Sequence, residues 1–188
     1  MDAFLTTERL ALRPFADTAA DLDLVVELDS DPAVMRYITG GRPMTREEIR
    51  AESFERMLRG GFWATHLRET GEFIGWHCLR ELPDAPAGSA DLGYRLRRDA
   101  WGKGYATEGA LALIEKGFGE LGYAQITANT MFVNADSRHV MEKCGLSYSR
   151  TYFEDWPYPV EGDEHGDVEY ILTRDEWLAA RRPGKADV

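Results

Sequence analysis

The chain has little with which to staple, anchor or chelate. Its 188 residues include only two cysteines, Cys78 and Cys144. That is too few for a disulfide framework, so a reducing, cytoplasmic location is expected. No CxxC or HExxH spacing occurs, and the four histidines, His66, His77, His139 and His165, are scattered; no metal is expected. No run approaches the ~20 apolar residues that a membrane helix needs. The opening MDAFLTTERL is neither basic nor apolar enough for a signal peptide. Positive charge is scarce, with 22 Lys and Arg against 33 Asp and Glu for a net charge of −11. That balance argues against non-specific nucleic-acid binding, which needs a basic surface to replace counterions. Neither nucleic acid nor membrane is an expected partner. The acidity permits a cationic substrate and equally serves solubility alone.

What is present suits one globular domain over residues 1–181, with a disordered tail at 182–188. Residues 5–15 read as a first strand. The apolar residues of Asp17–Asp29 fit a helix, and Val34, Met35 and Ile38 a further helical turn after Asp31-Pro32. The capping box 45-TREE-48 opens a helix to about Leu58, ended by Gly60-Gly61. Two strands flank a hairpin turn at 69-ETGE-72, and 90-ADLGYRL-96 is another strand. A helix over 106–121, a strand over 123–131 and a helix from Asn134 to a Gly145 cap follow. Strands at 146–154 and 167–173 lead to a second capping box, 173-TRDE-176, and a last short helix. This order predicts an α+β fold with a mixed sheet.

The stretch 101-WGKGYATEGA-110 puts glycines around a lysine at the mouth of a helix. Unpaired amides and partial positive charge make such a place suited to an anion. It is not a P-loop, because Arg97 stands where the first Gly is required and Gly104 follows Lys103. It is not a dinucleotide fingerprint, because Thr107 replaces the third Gly. No serine lies in a GxSxG elbow. A second cluster, 134-NADSRHVMEKCGL-146, lies about 30 residues on.

In order and spacing, WGKGYATE followed by NxxSxxxxEKxGL resembles the GNAT acetyltransferases, in particular the branch of the ribosomal-protein N-terminal acetyltransferases. The resemblance runs from about Thr6 to Trp177. It implies a mostly antiparallel central sheet flanked by helices, and acetyl-coenzyme A as co-substrate. It implies that main-chain amides from Gly102 through Lys103, Gly104, Tyr105 and Ala106 to Thr107 cradle a pyrophosphate. Lys103 either adds a point charge there or is a solvated surface lysine. Where the family pattern begins with Gln or Arg, this chain has Asp99; Arg97 and Arg98 are near but out of register. Backbone groups of Leu96 and Arg97 are expected to pair with the pantetheine arm, and Asn134 to contact that arm or cap its helix.

Acetyl transfer to an amine needs removal of a proton, stabilisation of the oxyanion and a proton or solvent for the departing thiolate. The family reaction is direct attack, so Cys144 is read as a packed residue. Asp91 is the candidate base, with a solvent-facing strand-end carboxylate as the other reading. Many members supply a tyrosine acid at the position occupied here by Met141; the resemblance to the N-terminal-acetylating branch implies Ser137 as the acid instead, with simple helix capping as the other reading. The acceptor is an amine, of a small molecule or a protein N-terminus. The acidic stretch 154–169, with Trp156 and Tyr158, is a candidate wall for it, and the helices between Asp17 and Leu58 are the other. The vacated tyrosine position keeps a non-catalytic acyl-coenzyme A-binding or sensing module as the alternative. Monomer and homodimer both remain open.

Overall fold

A computed structural model of the chain describes residues 3–82, 85–157 and 159–181. Eight strands form one sheet in the order β1-β2-β3-β4-β5-β6-β8-β7. They are β1 (Leu5–Thr6), β2 (Leu10–Pro14), β3 (Phe62–Leu67), β4 (Phe73–Arg80), β5 (Ser89–Leu96), β6 (Gln125–Met131), β7 (Ser147–Tyr152) and β8 (Asp167–Thr173). Every pairing is antiparallel except β5 with β6. The α+β expectation and the mostly antiparallel mixed sheet are both observed.

Side chains alternate between the two faces of a strand, and the registers carry that alternation across the sheet. On the back face, Leu79, Leu92, Ile126, Ala128 and Leu172 pack beneath α4 (Tyr105–Gly119) and α5 (Ala135–Lys143). The stripe Ala110, Leu113, Ile114 and Phe118 is the buried side of α4. On the front face, Phe62, Ala64, Trp76 and Cys78 are covered by α1 (Ala19–Asp29) and by the helical rod from Arg46 to Leu58. That cover stops at β4 and β5. Further along the same face the alternation brings up Asp91, Thr127, Asn129, Glu169 and Arg150, all of which line a cleft.

Three local readings need correction. Residues 5–15 are two strands, because Thr7 closes a tight turn: its amide donates to Leu10 O at 2.9 Å and its hydroxyl accepts from Leu10 N at 2.9 Å. Val34, Met35 and Ile38 lie in successive turns that include two helix-type bonds, Met35 N to Asp31 O and Thr39 N to Met35 O, both at 3.0 Å, but do not extend to a helix. Pro32 on one side, and Gly40 and Gly41 at φ 64° and 79° on the other, leave too short a run to propagate one. The rod at 46–58 starts with the expected Thr45–Glu48 capping box as α2 (Arg46–Glu48). It then widens to a π-helical segment over Ile49–Phe54 before closing as α3 (Glu55–Leu58). The last capping box opens α6 (Arg174–Ala180) as expected. Residues 182–188 and Tyr158 lie outside the described residues. No helix among those described is long and apolar enough to cross a membrane.

Candidate active site

The site begins where the sheet parts. The parallel strands β5 and β6 pair only over Ser89–Asp91 against Gln125–Thr127. Beyond Asp91 the two strands separate, and each runs on to a helix N-terminus, α4 after β5 and α5 after β6. Arg97 N donates to Ile74 O at 2.8 Å. In an antiparallel ladder alternate residues turn both backbone groups to the same neighbour. Gly93, Arg95 and Arg97 therefore face β4, while Leu92, Tyr94 and Leu96 turn toward the gap. This corrects the expectation for Arg97, whose amide is committed to β4. Leu96 does face the gap; its carbonyl already accepts from Trp101 Nε1 at 2.8 Å.

The turn after β5 is built on two left-handed glycines, Gly102 at φ 69° and Gly104 at φ 81°. Gly104 is the N-cap of α4. A side chain there would be strained whatever the surrounding space. The first helical bond runs from Glu108 N to Gly104 O at 3.0 Å, so the amides of Tyr105, Ala106 and Thr107 precede the ladder and have no acceptor among the described residues. Lys103 extends from this turn, with its carbonyl accepting from Arg9. The Arg97 guanidinium is turned away, toward Glu72 at 3.2 Å and Asp99 at 3.1 Å.

Asp91 and Ser137 line the same cleft, which has a volume of about 1060 Å³. Asp91 is largely buried. Burial raises its pKa, and this outweighs the opposing pull of Arg80, at 3.4 Å, and of the Asn129 amide, at 3.2 Å. The solvent-facing reading of Asp91 is therefore overturned. Asn129 is oriented in turn by Tyr152, whose hydroxyl donates to its carbonyl oxygen at 3.2 Å. The Ser137 hydroxyl meets the Tyr94 hydroxyl at 3.1 Å, and Tyr94 also donates to the Ser137 carbonyl at 3.0 Å. Burial raises the pKa of Tyr94, so the phenol stays protonated. Asn134, not Ser137, supplies the capping side chain: its Oδ1 accepts from Ser137 N at 3.3 Å and its Nδ2 donates to Thr130 at 3.0 Å.

One other candidate sits elsewhere, and Cys144 is packed as expected. Trp156 donates its indole N–H to Asp167 at 3.3 Å and is not among the residues lining the cleft; Tyr152, Phe153 and Glu154 form that wall instead. Cys144 is buried, its thiol pushed up to about 12 by burial, with Sγ 3.9 Å from Thr107 O. Among the described residues no group of His, Cys, Asp and Glu is arranged to hold a metal ion.

Sequence reasoning missed the residues that hold the turn. Arg9 donates to Lys103 O at 2.9 Å and to Glu108 at 2.6 Å, and its guanidinium lies 4.6 Å from the Tyr105 ring centre. Glu108 also accepts from the Arg9 amide at 2.9 Å and the Thr7 hydroxyl at 2.5 Å. His77, fully buried, lies between Thr65 and the first turn of α4. Tyr94, which bonds Ser137 and lines the cleft together with Met141, comes from a strand instead of a helix. No local pattern announces contacts between residues 12 to 101 positions apart.

Residues 9–147 match the model of the acetyltransferase (GNAT) domain family. The chain is 35% identical to FsC-acetyl coenzyme A-N(2)-transacetylase of Aspergillus fumigatus, over 95% of this chain and 80% of that protein. A GNAT-family acetyltransferase structure from Bacillus anthracis superposes with a TM-score of 0.76 at 27% identity, covering 91% of this chain and 98% of the other. The spermidine N-acetyltransferase of Vibrio cholerae, solved with CoA and spermine, superposes at 0.73 over 92% of this chain and 99% of its own. At 17% identity it speaks for the fold alone. By sequence match and architecture together, the chain belongs to the GNAT family, as an acetyl-coenzyme A-dependent N-acetyltransferase.

Proposed function

We propose that the parted-strand cleft acetylates a primary amine by direct attack, with Asp91 as base and Ser137 as the group facing the departing sulfur. Acetyl-coenzyme A, when bound, supplies the acetyl group as an activated thioester. The residues fit it. Left-handed Gly102 and Gly104 present backbone without Cβ atoms, and the amides from Tyr105 to Thr107 have no acceptor among the described residues. The gap-facing edge of β5, including the Leu96 amide, suits the amides of an extended arm. Asn134 holds the first turn of α5 beside that edge, and Lys103 adds charge at the turn.

The observation that carries this reading is that Asp91 and Ser137 line one cleft, each with its own support. A carboxylate with a raised pKa holds a proton better, so Asp91 is suited to take the amine proton, directly or through a water. With the Tyr94 proton on the Ser137 carbonyl, the Ser137 hydroxyl donates to the Tyr94 oxygen and turns its own proton to the sulfur as the C–S bond breaks and the C–N bond forms. Cys144 takes no part, because its thiol is held neutral. Both small-molecule amines and protein N-termini are acceptor classes. The resemblance to the ribosomal-protein N-terminal acetyltransferases supports the second.

Thiol release with an amine panel tests the chemistry, and a thermal shift with acetyl-coenzyme A tests the cradle. Ligand at 100 times Kd stabilises by about 2.7 kcal/mol, or roughly 5–10 °C for this length. That shift is expected in wild type and Ser137→Ala and lost in Gly104→Val. Ser137→Ala is expected to lose about 10–100-fold in kcat. Undiminished kcat in both Ser137→Ala and Asp91→Asn would sink the residue assignments. Binding without turnover of any amine would favour a sensing module.

A further inference from the structure

The acceptor part of the cleft has rims of unequal charge. Toward β7, Glu169 is neutralised by Arg150 in a two-pronged pair at 3.0 and 3.1 Å, and Glu154, at the edge, has no cationic partner among the described residues. Toward α3 and β4 the sign reverses. Arg80 has Asp91 as its carboxylate partner at 3.4 Å. Arg56 has no carboxylate partner among the described residues. Its guanidinium lies 5.7 Å from the centre of the Phe62 ring, and that of Arg80 lies 5.4 Å from the same centre. Two guanidiniums thus share one aromatic ring and one local carboxylate. Crowding by protein atoms, then Arg80 and Arg95, disfavours the charge on Arg56, although its side chain reaches solvent.

The same wall has unused polar groups. Trp76 Nε1, Arg80 Nε and Ser89 Oγ are buried without a hydrogen-bond partner among the described residues, and all three residues line the cleft. Trp76 and Ser89 are more than nine-tenths buried. Two of these atoms are donors and the third can donate. Buried polar groups are rarely left unpaired, so this wall holds donors in reserve just beneath its surface, and a wall short of acceptors suits an oxyanion. A polyamine would instead bring more positive charge against Arg56. The net charge of the chain does not decide this, because the potential inside a cleft follows its own lining.

We propose that the acceptor is a primary amine that also carries a carboxylate or similar oxyanion, seated against Arg56 and Arg80 while its nitrogen faces Asp91. This rests on the acetyl-transfer reading of the same cleft. Such a molecule matches both rims, its ammonium end toward the acidic side and its anion toward the arginines.

The test compares α- and ω-amino acids with their own carboxamides, and with spermidine, by kcat/KM from thiol release. Thermal shifts by the free acids without any acetyl donor give a readout independent of turnover. The acids are expected to exceed their carboxamides by about tenfold or more and to stabilise the protein. That ratio should collapse toward unity in Arg56→Gln and persist in Arg56→Lys. Arg56 is exposed on a helix, so both variants should fold. Carboxamides or spermidine used as well as the acids, or a ratio unmoved in Arg56→Gln, would overturn the inference while leaving acetyl transfer intact. Failure to acetylate any amine, in protein that acetyl-coenzyme A still stabilises, would remove the transferase reading of the cleft and this inference with it.

Discussion

His77 Nε2 lies 3.3 Å from the carbonyl oxygen of Ala106. One buried imidazole therefore ties β4 to the first turn of α4. Its other nitrogen meets the Thr65 hydroxyl at 2.8 Å, so the neutral ring can donate to Ala106 and accept from Thr65. Gly109 leaves room for it, since a Cβ there would overlap the ring. Burial lowers the His77 pKa from 6.5 to about 4. The unfolded chain thus takes up this proton first, and the stability from the neutral ring is present above pH 6.5 and lost as pH falls toward 4. The full depression corresponds to about 3 kcal/mol. Relative to His77→Gln, which shares every other titrating group, wild type should lose melting temperature from pH 7 to pH 5. Parallel curves would mean that the ring is not held neutral.

Asp91 has the opposite sign. Its raised pKa means that the folded state disfavours the charged form. Stability from this group is present below the unfolded value of 3.8 and is lost as pH rises through the folded value. Asp91→Asn should therefore melt higher than wild type near pH 7, with the advantage vanishing below about pH 4, while thiol release falls by about 100-fold or more. A variant less stable at pH 7 would mean that the Arg80 and Asn129 contacts outweigh the burial.

Arg9 holds the turn without belonging to it. Its contacts to Lys103 and Glu108 fix the backbone whose amides are left unpaired. Arg9→Ala should raise KM for acetyl-coenzyme A by about tenfold, the loss of one charge-assisted contact, with less effect on kcat. The Arg9–Glu108 pair is half exposed on the arginine side, so its effect on melting should stay small. A change confined to kcat would contradict a role at the turn.

The parts of this fold that are legible in sequence are those with local causes. Both capping boxes, Thr45 with Glu48 and Thr173 with Glu176, form as written, because each needs only residues three apart. The strand 167–173 and the glycine turn before α4 belong to the same class. The π-helical segment at Ile49–Phe54 is different: its residues carry ordinary helical spacing, and which backbone bonds they make depends on how Ile49 and Phe54 are buried against the front face. The site divides in the same way. Asp91, Ser137 and the turn carry motif-level signals, whereas Arg9, Tyr94 and Arg56 acquire meaning only when the sheet brings distant elements together. Trp156 carried an aromatic signal that the structure spends on Asp167.

The seam between β5 and β6 also divides the chemistry along the chain. Everything before Gly122 supplies the cradle, Asp91 and the arginine rim; everything after it supplies Asn134, Ser137 and the opposite rim. The three residue pairs of that seam, together with the packing of α4 and α5, bring the two halves of the proposed site together. Cut at Gly122, the protein would yield two pieces that each carry half a site, and acetyl transfer would report on their reunion.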